Sequence, residues 1–273
     1  MNQTHVYADL GTLAEEAART FARIIEEDLG RYPNPVVILS GGSTPRPCYE
    51  HLTALLMPLG GAVHRISWVI GDERWVPVSD PSSNEGMIRR SLLDPLEIPE
   101  ERILSWNPGT GTPIERAREY QRALRNLLGA PERLSGAPRQ EVPLQEVPLQ
   151  PAHPPDLTLL GLGQDGHTAS LFPDSVVVPA SAEAVKNGDT PVSPDIPGWT
   201  AAVYVPHLQS FRLTLTAGLL RSSRRIFFLV SGGAKREALR SLLNRDSSLP
   251  ASWLNLPQTQ VLATRDAVDI ERV

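Results

Sequence analysis

Proline is the residue that most constrains this chain, because 26 of its 273 residues are proline. A proline lacks the amide hydrogen and fixes its own φ, so it ends helices and interrupts strand ladders. Regular structure is therefore expected in the segments between prolines. Residues 131–155 hold seven prolines and a tandem repeat, in which Gln140–Leu144 is copied at Gln145–Leu149. We interpret about 131–155 as an extended surface insertion, with an interaction arm as the less favoured alternative.

Apolar strands alternate with amphipathic helices along the rest of the sequence. Capping boxes at Thr12–Glu15 and Thr112–Glu115 mark two helix starts, and residues 173–199 are expected to form a long loop. The alternation predicts one α/β domain over residues 1–273, with a mainly parallel sheet and helices on both faces. The expected strands are Val36–Leu39, Arg65–Ile70, Leu157–Leu160, Thr200–Val205, Arg225–Val230 and Val261–Thr264, and the expected helices cover about 12–29, 45–57, 84–93, 112–128 and 234–243.

Bulk composition argues against several classes of protein. A net charge of −5 provides no global basic field, so we expect no nucleic-acid partner. The single cysteine, Cys48, excludes an intramolecular disulfide and a cysteine-based zinc site. The N-terminal residues show no basic stretch before an apolar run, and no apolar run approaches the about 20 residues of a membrane helix. We therefore expect a cytoplasmic protein with no membrane partner.

Four polar segments follow predicted strands. In a parallel sheet the carboxyl ends of the strands meet at one edge, where ligands bind. Any one such segment is typical of an ordinary strand-to-helix turn, but four of them with charges attached predict a site. The segments are Ser40–Thr44, Asp72–Arg74, Gly161–His167 and Ser231–Lys235.

Two of these segments suit a phosphate. Ser40–Thr44 is a glycine-rich turn that enters a helix at Pro45, and Ser231-Gly232-Gly233 has the same form. Neither contains the full Gly-x-x-x-x-Gly-Lys-Ser/Thr pattern, so a nucleotide P-loop is not predicted. A phosphate carries about −1.5 to −2 charges and needs local cations in a protein of net −5. The candidates are Lys235, Arg46 and Arg212. Lys235 is one of two lysines among 26 basic residues, with a solvated surface lysine as the alternative.

The turn at Gly161–Gly166 matches the pattern Gly-x-Gly-x-x-Gly. Because Pro173 leaves little room for a following helix, this is a weak dinucleotide fingerprint. Asp165 and His167 flank a single glycine, a spacing that lets a carboxylate orient an imidazole. An imidazole oriented in this way is a candidate general base near neutral pH.

Mixed charges occur at Asp72-Glu73-Arg74. Arg74 is a candidate to stabilise a developing oxyanion. For Glu73, a structural role in a salt-bridged cluster is about as well supported as a role in the site. No spacing of histidine or cysteine residues suits a metal, so no metal site is predicted.

These segments together resemble the 6-phosphogluconolactonase family, within the wider group of glucosamine-6-phosphate deaminases and lactonases. The matching motifs occur in the family's order, cover most of the chain, and lie at 39–45, 68–77, 83–87, 160–173, 212–216 and 231–235. The resemblance implies a modified Rossmann-like fold and no cofactor. It also implies hydrolysis of 6-phospho-D-glucono-1,5-lactone to 6-phospho-D-gluconate in the pentose phosphate pathway.

Site residues follow from the same resemblance. It implies that His167 is the general base with Asp165 as its partner, and that Arg74 and Asp72 line the substrate pocket. The related deaminases carry a glutamate before a proline where this chain has Phe172, and this departure favours lactone hydrolysis over deamination or isomerisation. The expected phosphate-binding residues are Gly41, Gly42, Ser43, Thr44, Arg212 and Lys235, with Arg46 as a further candidate.

Two other functions are weighed against the lactonase. A non-catalytic sugar-phosphate sensor needs a phosphate cradle but no base, so the motif Asp165-Gly166-His167 argues against it. A dinucleotide-dependent dehydrogenase depends on the weak glycine pattern alone. The expected partner is a small-molecule substrate, and a monomer is expected with an oligomer left open.

Overall fold

The strands of this protein form two sheets. The structure, a computed structural model, describes residues 3–108, 111–129, 150–180 and 191–268. Its strands are β1 (Gln3–Tyr7), β2 (Val36–Leu39), β3 (Ser67–Ile70), β4 (Asp72–Arg74), β5 (Ile103–Leu104), β6 (Leu157–Gly161), β7 (Val176–Pro179), β8 (Thr200–Val205), β9 (Ser210–Leu215), β10 (Ile226–Val230) and β11 (Thr259–Thr264). Seven form a sheet of order β1-β11-β10-β6-β2-β3-β5 in which every pair is parallel. The predicted parallel α/β sheet is confirmed.

Helices pack against the parallel sheet. Every residue of β2, β3 and β10 is buried, and because successive side chains point to opposite faces, both faces of these strands are covered. Phe21 of the first helix meets Phe227 of β10 edge to face, with ring centroids 5.1 Å apart. The helices are α1 (Leu10–Arg31), α2 (Pro45–Leu56), α3 (Asn84–Ile88), α4 (Pro113–Leu128), α5 (Ala217–Arg221) and α6 (Arg236–Leu243).

One of the two predicted helix starts is wrong. Helix α1 begins before Thr12, because the carboxylate of Asp9 accepts a hydrogen bond from the Thr12 amide at 2.8 Å and caps the helix. Helix α4 starts as expected. The Thr112 hydroxyl accepts from the Glu115 amide, and the Glu115 carboxylate accepts from the Thr112 amide, so this capping box is confirmed.

The second sheet is antiparallel and was not anticipated. Its order is β4-β9-β8-β7, so Asp72–Arg74 is a short strand rather than a turn, and Thr200–Val205 does not join the parallel sheet. The connection from β8 to β9 spans only residues 206–209, which allows a hairpin but is too short for a parallel crossover. The predicted long loop at 173–199 also contains β7, and its residues 181–190 lie outside the described residues.

The proline-rich insertion is described only in small part. Of about 131–155, the structure describes residues 150–155, and the rest lies outside the described residues. Among the described helices, none is both long enough and apolar enough to cross a membrane.

Candidate active site

All four polar segments follow adjacent strands of the parallel sheet, and the fourth, Asp72–Arg74, begins just after β3 and forms β4. Because β10, β6 and β2 are neighbours in the parallel sheet, the turns that follow them emerge side by side at its carboxyl edge. Lys235, beyond the turn after β10, donates a hydrogen bond from Nζ to the carbonyl of Leu162 in the turn after β6. The structure thus brings together segments that are nearly 200 residues apart in the sequence.

His167 and Asp165 form a close pair in the turn after β6. His167 Nδ1 lies 2.5 Å from Asp165 Oδ1, and the same oxygen accepts the His167 amide at 3.2 Å. Because an ionised carboxylate only accepts hydrogen bonds, this contact assigns the ring proton to Nδ1 and leaves a lone pair on Nε2. Within the described residues Nε2 makes no hydrogen bond, and the His167 side chain is 30% exposed. The arrangement suits a proton acceptor that solvent can reach.

The electrostatics of Asp165 favour its ionised form. Burial raises the pKa of Asp165, but the hydrogen bond and charge of His167 outweigh this effect, and the pKa lies below its ordinary value. Gly163 makes room for the pair, since a Cβ at this position would overlap the His167 ring and the Asp165 carboxylate. The glycine pattern of this turn therefore serves the histidine and carboxylate.

An aromatic side chain covers the His167 ring. Phe172 stacks on it with ring centroids 4.1 Å apart and an interplanar angle of 30°. The ring of His207, in the β8–β9 turn, lies edge to face with Phe172, with ring centroids 5.8 Å apart. At the position where the resembling deaminases carry an acid, this chain places an apolar ring directly against the imidazole.

The antiparallel sheet brings two arginines to the site. Arg74 of β4 and Arg212 of β9 are cross-strand partners, and neither forms an ion pair with a carboxylate of the described chain. Burial and the nearby charge of Arg74 lower the pKa of Arg212, and Asp72 partly offsets them. Two adjacent, half-buried guanidinium groups without a carboxylate partner provide a local positive field for an anion.

Asp72 lies on the same face as these arginines. Its side chain is buried, and the Ser170 hydroxyl donates to its Oδ2 at 2.8 Å. Burial raises the pKa of Asp72, while Ser170, Arg74 and His167 act in the opposite direction. The influence of both His167 and Arg74 on this carboxyl group indicates that the two sheets contribute to one site.

The turn after β2 offers unused amide donors. The side chain of Thr44, at the N-cap of α2, makes no capping hydrogen bond. The amides of Gly42, Ser43 and Thr44 donate to no other described residue. Such a turn at a helix start attracts an anion. Arg46, the second residue of α2, is exposed and lies 3.3 Å from Glu50, and it forms no ion pair with a predicted site residue in the described chain.

The turn after β10 differs from this arrangement. The amide of Gly232 donates to the Thr264 hydroxyl at 3.2 Å. The Thr264 hydroxyl donates to Asp266 Oδ1, and this bond together with the nearby Gly232 and Gly233 amides lowers the pKa of Asp266. A carboxylate of the chain thus already faces these amides. Lys235, just beyond the turn, is half-buried, and burial lowers its pKa although the nearby charge of Asp165 raises it.

Three contacts at the site were not predicted. Asn84 packs beneath Gly41, Ser170 donates to Asp72, and Phe172 stacks on His167. All three residues lie within the motifs that carry the family resemblance, which was the available signal. In the described part of the chain, no group of three or more histidine, cysteine, aspartate or glutamate residues is placed to hold a metal ion.

Comparison with known proteins identifies the family. The family model for glucosamine-6-phosphate isomerases/6-phosphogluconolactonase matches residues 8–263. A 6-phosphogluconolactonase from Synechocystis sp. is 30% identical, over 95% of this chain and 93% of its own length. One from Rattus norvegicus is 32% identical, over 92% of this chain and 84% of its own length.

Comparison with solved structures agrees on the fold. The crystal structure of 6-phosphogluconolactonase from Leishmania guyanensis has a TM-score of 0.72 and 24% identity, and the match covers 98% of this chain and 97% of that one. Together with the family match over most of the sequence, this likeness leads to one conclusion. The chain belongs to the glucosamine-6-phosphate isomerase/6-phosphogluconolactonase family.

Proposed function

We propose that this chain is a 6-phosphogluconolactonase, which hydrolyses 6-phospho-D-glucono-1,5-lactone to 6-phospho-D-gluconate in the second step of the oxidative pentose phosphate pathway. The observation that carries the proposal is the His167–Asp165 pair at 2.5 Å, in which the His167 side chain is 30% exposed, together with Arg74 and Arg212 side by side on the second sheet. Relatives that match the chain over most of both lengths, such as those from Synechocystis sp. and Rattus norvegicus, bear this name.

His167 is the general base of the proposed reaction. Its Nε2 takes a proton from water as the water oxygen adds to the lactone carbonyl carbon. Arg74 stabilises the oxyanion of the tetrahedral intermediate. As the bond from this carbon to the ring oxygen breaks, protonated His167 returns the proton to that oxygen. Asp165 holds the ring orientation and stabilises its charged form throughout.

The phosphate of the substrate anchors it for this attack. Amides of Gly42, Ser43 and Thr44 make no hydrogen bond to the rest of the described chain, and Arg212 has no carboxylate partner there. Gly41 shapes the same turn, and Lys235 supplies a cation at the central turn. A dianion held by these groups has its lactone end within reach of His167. Arg46 plays a smaller part, because it faces solvent and pairs with Glu50.

Phe172 supports the lactonase over the deaminase or isomerase activity of the same family. An apolar ring stacked on His167 cannot exchange protons with a substrate amine or ring oxygen. The sensor is less well supported, because a binding protein gains nothing from an accessible base oriented by a carboxylate. We also propose that the enzyme acts in the cytoplasm as a monomer, on this small molecule and without a cofactor.

Lactone hydrolysis coupled to 6-phosphogluconate dehydrogenase tests the proposal. Because the lactone also opens spontaneously, each rate is compared with a blank that lacks the protein. We expect formation of 6-phosphogluconate well above the blank. A purified protein that binds 6-phosphogluconate but leaves the blank rate unchanged would be a sensor. Release of ammonia from glucosamine 6-phosphate in a parallel assay would instead identify a deaminase.

A further inference from the structure

Glu73 is a buried carboxylate with four hydrogen-bond donors around it. Its side chain is 0% exposed, and Oε1 accepts the amides of Arg74 at 2.7 Å and Asn84 at 2.8 Å. Oε2 accepts the Ser83 hydroxyl and the Glu85 amide, each at 2.8 Å. No cation is paired with Glu73 in the described residues, so the alternative of a salt-bridged cluster is not what holds it. Three of its four donors belong to residues 83–85, at the start of α3.

The segment that Glu73 holds supports the predicted phosphate turn. Asn84 Nδ2 donates to the Asp72 carbonyl at 2.9 Å, and the Asn84 side chain fills the space beneath Gly41. A Cβ at Gly41 would overlap Asn84, so the two residues are in direct contact. The position of Asn84 therefore sets how closely the turn at 40–44 approaches β4.

The same segment also holds Arg74. Arg74 Nη1 donates to the carbonyl of Ser82, one residue before the donors to Glu73. Ser82 is fixed in turn by Asp80, whose Oδ1 accepts both the Ser82 amide at 2.7 Å and its hydroxyl at 2.6 Å. Glu73 points away from the arginine face of β4, because alternate residues of a strand lie on opposite faces. Besides accepting the Arg74 main-chain amide, it reaches the Arg74 guanidinium only through this segment.

We propose that Glu73 is a positioning residue, which sets the relative placement of the phosphate turn at 40–44 and the Arg74 guanidinium by holding residues 82–85 against β4. This inference rests on the proposed function for its substrate. It assigns Glu73 no contact with the substrate. We therefore expect that loss of the hydrogen bonds between Glu73 and residues 83–85 weakens the binding of phosphorylated ligands by more than the loss of stability explains.

Glu85 offers a matched control. It is the adjacent buried carboxylate, 1% exposed, and its side chain pairs with Arg89 at 2.8 Å and accepts the Ser105 hydroxyl at 2.5 Å. None of these partners belongs to the predicted site. Glu85→Gln and Glu73→Gln thus each remove one negative charge at similar burial. Only Glu73→Gln weakens the carboxylate that accepts hydrogen bonds from residues 83–85, which support the turn.

The experiment measures the thermal midpoint, the lactone KM and kcat, and the Kd for 6-phosphogluconate by calorimetry. We expect Glu73→Gln to raise Kd and KM about tenfold, the effect of one lost charge-assisted hydrogen bond. Glu85→Gln is expected to lower the thermal midpoint at least as much as Glu73→Gln does, but to leave Kd and KM unchanged. Should Glu73→Gln not fold, Ser83→Ala removes one donor to Glu73 and is expected to raise Kd by a smaller factor.

Two results would overturn the inference. One is a folded Glu73→Gln or Ser83→Ala with wild-type Kd and KM, which makes Glu73 a purely structural residue. The other is an equal rise in Kd for Glu85→Gln, which makes the effect one of general destabilisation. A wild-type protein that binds 6-phosphogluconate without hydrolysing the lactone contradicts the proposed function, yet the Kd comparison still decides the role of Glu73.

Discussion

The tripeptide Ser-Gly-Gly occurs at the carboxyl ends of both β2 and β10, and its two copies have different backbones. After β2 the second glycine, Gly42, has a positive φ of 111°. After β10 it is the first glycine, Gly232, with φ of 101°. Glycine reaches such angles without the steric cost that other residues incur. The same tripeptide, at equivalent places in one sheet, thus adopts two different turn conformations.

The neighbouring elements account for this difference. After β10, the hydroxyl of Thr264, the last residue of β11, accepts a hydrogen bond from the Gly232 amide. Asp266, two residues later, lies close to the amides of the same turn. After β2, no side chain of the described residues takes that place, and Asn84 packs beneath the turn instead. The amides of the turn after β2 are therefore left without a described partner, whereas a carboxylate lies beside those of the turn after β10. The proposed phosphate position depends on this contrast.

The largest expected effect concerns His167, in the turn after β6, which lies between the two Ser-Gly-Gly turns at the edge of the sheet. His167→Ala is expected to lower kcat about 10²–10⁴-fold, because general-base help is lost while the fold remains. The coupled lactone assay measures this change, with circular dichroism to verify folding. His207→Ala is the matched control, since this ring touches Phe172 but not the carboxylate. An unchanged kcat in His167→Ala removes the base from the mechanism.

A second variant tests the turn after β2. In Gly41→Ala the new Cβ overlaps Asn84, so the turn must shift and we expect a destabilisation of about 1–3 kcal/mol. Because the shifted amides fit the phosphate less well, KM should rise. Gly233→Ala in the other copy is the control, since its Cβ comes no closer than 3.4 Å to any neighbour. Equal KM changes in both variants would abolish the contrast between the turns.

A third test asks whether cations from both sheets hold one phosphate. Lys235→Ala and Arg212→Ala are each expected to raise KM about tenfold, as loss of a charged hydrogen-bond partner does, with a smaller effect on kcat. Arg240→Ala removes an exposed cation of α6 that pairs with Glu237, and KM should not change. A normal KM with a low kcat in Lys235→Ala would contradict an anchoring role.

The smallest expected effect concerns Asp266. Its pKa is lowered by the Thr264 hydroxyl and the glycine amides, so its stabilising contribution is present above the ordinary carboxyl pKa and is lost as pH falls. Asp266→Asn should therefore lower the thermal midpoint slightly at about pH 7, and this difference should shrink as pH falls below the ordinary carboxyl pKa of about 3.9. KM should stay the same, whereas a lower KM would place the phosphate in the second turn.

Much of this fold could be predicted from local signals. The buried strand Val36–Leu39 and the capping box at Thr112 are both visible in a single sequence. Both predictions are confirmed, because a buried parallel strand and a capped helix each depend on consecutive residues. The predicted placement of β8 in the parallel sheet is wrong, because sheet membership depends on which strand it pairs with, and its partner β9 is not predicted from the sequence.

The fold class, the family and the residues expected at the site can all be read from the linear chain. Apolar runs, capping residues and the order of the motifs are enough for these, because each can be recognised without knowing which distant residues meet. The tertiary structure alone decided that β4 and β9 place Arg74 beside Arg212 and that Phe172 covers His167. It also decided that two identical tripeptides differ, since Asp266 lies beside one and Asn84 beneath the other. Such contacts join residues far apart in the chain, and no local pattern specifies them.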